Sequence, residues 1–376
     1  YGNTPPITVA FLTATGQVLI VSSLFFQYTV LVKDKQHLFF CFLKGGFFMY
    51  DKYLVTGATG FLGRAVVEEL ARRDAQVRAL VLPDDPYAHL LPKKVRSIAG
   101  DVCDKDALAS FFADADSRTC VIHCAGIVSV ASRPGHKLYQ VNVGGTWRIL
   151  RQCIAHSVGK MIYVSSVHAI PEKPKGCLIT EDCKFSPGLV DGDYAKSKAT
   201  ATDLVLDAAA QGLNASIIFP SGIIGPGDVQ GGSFTSMAKS FLAGRLPFAV
   251  RGGYDFVDVR DVAQGLLACC EKGLPGKGYI LSGHYATIGR MLQMVGAAAN
   301  RRYRPICLPL GLARLAAPGY ERRSLRAGKP LFFTPYSVSV LGSNGQFSHA
   351  AASACFAYEP RPMEETLQDM AAWLLR

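Results

Sequence analysis

Thr56-Gly57-Ala58-Thr59-Gly60-Phe61-Leu62-Gly63 follows the apolar run Lys52-Tyr53-Leu54-Val55 and precedes Arg64-Ala65-Val66-Val67-Glu68-Glu69-Leu70. The order reads as strand, glycine turn, helix. Glycines delivered by a strand into a helix N-terminus suit a dinucleotide pyrophosphate, because glycine lets backbone come close and the helix end offers free N–H groups with a favourable dipole. Gly57, Thr59, Gly60, Phe61, Leu62 and Gly63 are therefore candidate cofactor contacts. The spacing is G-x-x-G-x-x-G rather than G-x-G-x-x-G, and an isolated glycine turn is often only a turn, so the surrounding pattern has to decide.

Outward from the turn, Val66, Val67, Leu70 and Ala71 form a helical stripe, and Gln76-Val77-Arg78-Ala79-Leu80-Val81 alternates as a second strand. That completes a β-α-β unit. The residue ending such a strand meets the adenosine ribose, where an acid favours NAD and an arginine NADP. Here it is Leu82, in Leu82-Pro83-Asp84-Asp85, which leaves NAD or NADP open with a lean to NAD because no base is present. Val95 to Ala99 reads as a third strand ending in Gly100-Asp101-Val102, with the Asp101 carboxylate placed to accept from an adenine amino group. Thr119 to Gly126 is a continuous apolar run suited to a buried parallel strand, and its small end, Cys124-Ala125-Gly126, leaves room for a cofactor. Cys120, His123 and Cys124 do not make a metal site, since neighbours on a strand point to opposite faces and no second ligand pair follows.

Met161-Ile162-Tyr163-Val164-Ser165-Ser166 is the next buried strand, and ligands of doubly wound sheets bind beyond such carboxyl ends. A loop from Pro171 to Gly192 leads to Tyr194-Ala195-Lys196-Ser197-Lys198, the start of an alanine-rich helix to about Gln211. Tyr194 and Lys198 share one helical face. A free tyrosine, with pKa of about 10, is a poor proton partner at neutral pH, and a nearby cation favours its phenolate. Lys198 supplies that charge and reaches toward a cofactor ribose, Tyr194 serves as acid/base, and a strand-end serine holds the substrate oxygen. Asn142, in the helical stretch Tyr139 to His156, is an active-site support residue or an ordinary helix residue with equal warrant.

With these residues in view, the sequence from about Tyr50 to Leu374 resembles the extended short-chain dehydrogenase/reductase family, also called the NAD-dependent epimerase/dehydratase family. The resemblance rests on Thr56 to Gly63, Gly100-Asp101-Val102, Ser165-Ser166, Tyr194 with Lys198, Pro220 with Gly225-Pro226-Gly227-Asp228, and Phe256 to Ala263. It looks most like the dihydroflavonol reductase and 3β-hydroxysteroid dehydrogenase branch. The resemblance implies Ser166 as the catalytic serine, Val102, Pro220 and Ile223 as further cofactor contacts, and a homodimer. Two departures stand out. NADP-using reductases of the branch commonly carry arginine where Leu82 stands, and sugar-nucleotide epimerases commonly carry a diphosphate-holding arginine where Tyr254 stands, with Arg251 nearby.

The expected fold is α/β, a Rossmann-type doubly wound parallel sheet with a smaller, discontinuous C-terminal substrate region. Residues 49–227 and 254–282 form the dinucleotide domain, and 228–253 with 283–376 the substrate region, in which 228–253 cover the substrate. Ile306 to Phe333 resembles a lid or surface-associating flap, but its amphipathic pattern is short and interrupted by proline, which argues against a membrane partner. Residues 1–48 read as an upstream or non-native extension, since Met49 is the first methionine and stands just before the first strand. The alternatives are a disordered tail or a membrane anchor, because Pro6 to Val32 has no charged residue.

The formal charge of +11, spread along the chain without a basic block interleaved with aromatics, fits anionic ligands and argues against nucleic acid. The 11 scattered cysteines fit reduced thiols in the cytoplasm. The leading functional expectation is an NAD(P)-dependent oxidoreductase acting on a secondary alcohol or ketone of a hydrophobic, ring-containing small molecule. The alternatives are a sugar-nucleotide epimerase or dehydratase and a non-catalytic NAD(P)-sensing module.

Overall fold

The computed structural model describes the backbone of all residues except 1–6, 13–17, 25–26, 35–36, 43–49, 132–134, 302–303 and 329–330. Residues Tyr1–Phe48 and Met49–Arg376 form two compact units. The first is an antiparallel meander of β1 (Ile7–Leu12), β2 (Val18–Leu24), β3 (Gln27–Asp34) and β4 (His37–Phe42). The apolar stretch considered as an anchor is thus strand in its described parts, and no helix among the described residues is long and apolar enough to cross a membrane.

The second unit is built on seven parallel strands. In chain order they are β5 (Lys52–Thr56), β6 (Gln76–Val81), β7 (Arg96–Ala99), β8 (Thr119–His123), β9 (Lys160–Val164), β10 (Ala215–Pro220) and, later, β14 (Gly278–Leu281). Their spatial order is β14-β10-β9-β8-β5-β6-β7, which makes this the doubly wound parallel sheet expected from the sequence. The order reverses between β5 and β8, and a ligand crevice opens at such a switch point. Strands β8, β9 and β10 are buried along their whole length because helices cover both faces, which is why they read as unbroken apolar runs. The connecting helices are α1 (Phe61–Arg72), α2 (Lys105–Phe112), α3 (Lys137–Tyr139), α4 (Thr146–Ala155) and α5 (Asp193–Ala210). Leu54, Val121, Met161, Ile217 and Phe219 of the sheet pack with Phe111, Ile149 and Val205 of the helices in one core.

The remaining elements form the C-terminal side. A small sheet joins β11 (Gly222–Ile224), β13 (Gly253–Asp258) and β15 (His284–Thr287), and β12 (Phe248–Val250) pairs with β16 (Ile306–Leu308). Helices α6 (Ser233–Leu242), α8 (Ile288–Ala298) and α12 (Met363–Leu374) share a second core around Phe241, Leu292 and Leu367. Helix α7 (Val259–Lys272) returns to the main sheet, α9 (Leu310–Arg326) and α10 (Pro335–Gly342) pack on each other, and α11 (Ala350–Phe356) packs against α7 and β14. The C-terminal motif is a clamp on α7. Arg361 donates from Nε to Asp261 Oδ1 at 2.9 Å, while Arg260 joins Asp258 to Asp369 with two bonds of 2.7 Å.

Candidate functional site

The glycine turn occupies the switch point. Gly57 has φ +66°, and a Cβ there would lie 2.7 Å from the Ala125 backbone nitrogen, so only glycine lets β5 pass this close to the end of β8. A Cβ on Gly63 would lie 2.0 Å from the Gly57 carbonyl oxygen, which fixes how tightly α1 sits on the turn. Gly60 caps α1 without a side-chain hydrogen bond, so no side chain competes for the first N–H groups of the helix. This cradle suits a pyrophosphate. Thr59 points its hydroxyl away, donating to Asp85 Oδ2 at 2.6 Å, while Asp85 Oδ1 accepts from the Tyr87 N–H at 2.9 Å.

The other predicted cofactor contacts fall around the same crevice. Leu82 ends β6 with half its surface exposed, and the Asp101 carboxylate accepts from the Cys103 N–H at 2.9 Å. Val102 is buried under Gly145, so its side chain belongs to the core. Cys124 and Ala125 hang from Thr56, whose carbonyl accepts from the Cys124 N–H and whose hydroxyl accepts from the Ala125 N–H. Gly126 lies beside Lys198, with room for a Cβ only 3.4 Å from Nζ. Pro220 closes β10 opposite Leu281, and Ile223 pairs with Val257 in the smaller sheet.

His123 explains how this region is tied together. Its Nδ1 lies 2.7 Å from the Thr56 hydroxyl and its Nε2 3.0 Å from the Thr146 hydroxyl. Thr146 spends its single proton on the Asn142 carbonyl at 2.7 Å, so His123 carries its proton on Nε2 and accepts at Nδ1 from Thr56. Burial pushes the imidazole pKa down to about 3, which keeps this neutral tautomer at physiological pH.

Asn142 is a support residue. The stretch expected as one helix is broken by a π-turn, Gln140–Gly145, and such turns often mark functional positions. Asn142 Oδ1 accepts from the Ile127 N–H at 2.7 Å, and Nδ2 donates to the Ile127 carbonyl and to Ser197 Oγ, both at 3.0 Å. Ser197 in turn donates to the Tyr194 carbonyl at 2.7 Å. One amide thus holds both the loop after β8 and the first turn of α5.

Ser166, Tyr194 and Lys198 are all buried and come together beyond the end of β9. Ser166 caps a short 3-10 turn, accepting from the His168 N–H at 3.3 Å, with its hydroxyl on the side of the Tyr194 phenol. Burial pushes the Tyr194 pKa up to about 12, opposed by the Ser166 hydroxyl. The sequence expectation was a cation-lowered phenol. Here Lys198 Nζ instead donates to the Val164 carbonyl at 2.8 Å and lies 5.0 Å from the centre of the Tyr163 ring, so desolvation governs Tyr194. Burial also pushes Lys198 down to about 8.

A cavity opens next to this set. Its wall includes Val167, Ile170, Val190, Tyr254, Tyr336 and Phe347, with His168, Ser339, Ser343 and Asn344, and Glu172 and Asp191 are its acidic side chains among the described residues. None of its lining comes from residues 228–253, the stretch expected over the substrate. That stretch leans on the glycine turn, where Gln230 Nε2 donates to the Thr59 carbonyl at 3.4 Å and Arg64 reaches Gly227. The cavity is covered by α10, whose Tyr336 packs on Gly192, the glycine at φ +89° that opens α5. Arg251 points elsewhere, donating to the Cys307 carbonyl at 3.2 Å.

Sequence reasoning missed Asp85 and His168. Asp85 was visible only as one of two acids beyond a strand end, and His168 carried no spacing signal.

The family model described as "NAD dependent epimerase/dehydratase family" matches residues 53–282. The chain is 30% identical to sterol demethylase protein B of Methylococcus capsulatus over 85% of its length and 97% of that protein. It is 29% identical to human 3 beta-hydroxysteroid dehydrogenase type 7, covering 82% of this chain and 91% of that one. Among solved structures it is similar to that of gox2253, with 29% identity, a TM-score of 0.75, and coverage of 86% of this chain and 98% of the other. The chain belongs to the NAD-dependent epimerase/dehydratase family and is an oxidoreductase of the extended short-chain type.

Proposed function

We propose that the protein interconverts a secondary alcohol and a ketone on a hydrophobic, ring-containing small molecule, with NAD preferred over NADP. The observation that carries the substrate class is the cavity beside Tyr194, where Val167, Ile170, Val190, Tyr254, Tyr336 and Phe347 alternate with the neutral polar groups of Ser339, Ser343 and Asn344, and where Glu172 and Asp191 but no lysine or arginine are found among the described residues. A nucleoside diphosphate would bring negative charge to a wall without a cation, and acids there oppose it. Similarity to a sterol demethylase protein and a hydroxysteroid dehydrogenase supports the same class.

Gly57 and Gly60 would hold the pyrophosphate of a nicotinamide dinucleotide and Asp85 its ribose, and the bound cofactor would supply or take up the hydride. Tyr194, protonated at neutral pH, donates its proton to the carbonyl oxygen as charge develops there. Ser166 holds that oxygen against Tyr194. Lys198, mostly charged at neutral pH, would bind the cofactor ribose hydroxyls rather than lower the phenol. Asn142 keeps the α5 turn in register with the loop after β8. The preference for NAD rests on Asp84 and Asp85, whose carboxylates disfavour an added 2′-phosphate.

The test is a panel of steroid-like ketones, flavonoid-like ketones and nucleotide sugars assayed with NADH and NADPH. Oxidation of NADH by a hydrophobic ketone is the expected result. Isomerisation of a nucleotide sugar without net cofactor consumption, and silence with every ketone, would overturn the reading.

A further inference from the structure

The net charge of the chain is unevenly placed. Residues 301–329 contain eight Lys and Arg against one acid, Glu321, which is +7 of the total +11. The structure gathers part of this charge on α9. The helix runs unbroken from Leu310 to Arg326 through Pro318, so the interruption expected from the sequence does not occur. Its inward side is set by Ala313, Ala317, Glu321 and Ser324, all buried. The opposite side presents Leu312, Leu315, Arg322, Arg323 and Arg326, which recur at helical spacing. Leu315 is 82% exposed and Leu312 57%. The two leucines stand beside the arginines on this face, where an apolar phase could meet them.

No ion pair among the described residues engages Arg322, Arg323 or Arg326, and the three line one surface hollow with Gly319 and Ala327. On the strand leading into α9, Ile306 pairs with Phe248, and both side chains are exposed.

We propose that this face of α9 docks on an anionic lipid bilayer, the leucines entering the acyl boundary and the arginine hollow taking the phosphate headgroups. The charge and the apolar side chains are both required by that partner. A nucleic acid or an acidic polypeptide would use the arginines and leave Leu312 and Leu315 without a role. The proposal is independent of the catalytic reading, since none of these residues lines the cavity beside Tyr194.

The test is sedimentation of the full chain with vesicles of phosphatidylcholine alone and of phosphatidylcholine mixed with phosphatidylglycerol. Binding is expected only to the mixed vesicles, and it weakens as salt is raised. Two variants separate the contributions, Leu312→Ser with Leu315→Ser, and Arg322→Glu with Arg323→Glu and Arg326→Glu. Each should reduce binding by at least about tenfold, with thermal unfolding unchanged because the side chains are exposed. Should the arginine variant fail to fold, the leucine variant decides alone. Absence of binding to mixed vesicles would overturn the proposal. So would full binding by the leucine variant, which would reduce the surface to unspecific charge attraction.

Discussion

His168 lies flat on Tyr254, with ring centroids 5.5 Å apart and planes 12° from parallel, and turns its edge to Tyr194 at 5.9 Å. Tyr254 also meets Phe347 edge-on at 5.5 Å, and the Tyr336 hydroxyl lies 3.3 Å from His168 Nδ1. An aromatic box therefore stands beside the phenol proposed to move the proton, at the position where an epimerase of this family commonly has an arginine.

The proposed function makes Tyr254 a specificity residue. Tyr254→Ala should destabilise the protein by about 3 kcal/mol and raise KM for a ring substrate more than it lowers kcat. Tyr254→Phe should change either quantity little. Denaturant unfolding and steady-state kinetics on the two variants check this, and equal KM values for wild type and Tyr254→Ala would remove the residue from the substrate site.

Stability should fall on the acid side because of His123 and His168. Burial pushes their pKa values down to about 3 and about 4, below the ordinary histidine value of about 6.5. Between those values and 6.5 the unfolded chain binds protons that the folded chain refuses, so stability rises with pH through this window and is lost as pH falls. At pH 5 each histidine accounts for about 2 kcal/mol of loss. Unfolding curves at pH 7 and pH 5 measure the histidine loss net of Asp255, whose pKa burial raises to about 6 and which opposes it in this window, and His168→Phe should shrink the difference by about 2 kcal/mol.

Asp85 should control cofactor choice. Its carboxylate is fixed by Thr59 at the glycine turn and by the Tyr87 N–H. Asp85→Asn keeps the shape and removes the charge, so the Kd ratio between NADPH and NADH should narrow by about tenfold, the effect of roughly 1.4 kcal/mol of lost repulsion. Fluorescence titration of both dinucleotides reads it without turnover, and an unchanged ratio would place the discrimination elsewhere.

The fold was legible because parallel strands buried on both faces write themselves as apolar runs, and β8, β9 and β10 do so without interruption. The glycine turn was legible for a different reason. The 2.7 Å approach at Gly57 tolerates no side chain, so the backbone geometry is recorded in the residue type. What the sequence hid depends on contacts between distant residues. The π-turn at Asn142 follows from its bonds to Ile127 and Ser197, and the box around His168 from Tyr254 and Tyr336, which local periodicity does not connect. The Lys198 geometry was hidden in the same way, because its bond to the Val164 carbonyl belongs to the neighbouring strand.

The central claim is that Tyr194 moves the proton in a hydride-transfer reaction, and Tyr194→Phe tests it most directly. The substitution removes one hydroxyl from a buried ring and leaves the glycine cradle untouched. With the ketone substrate found in the panel, kcat should fall by about 10² to 10⁴-fold, while the Kd for NADH, read by fluorescence, stays at the wild-type value. A variant that binds NADH normally and turns over at near wild-type rates would contradict the account.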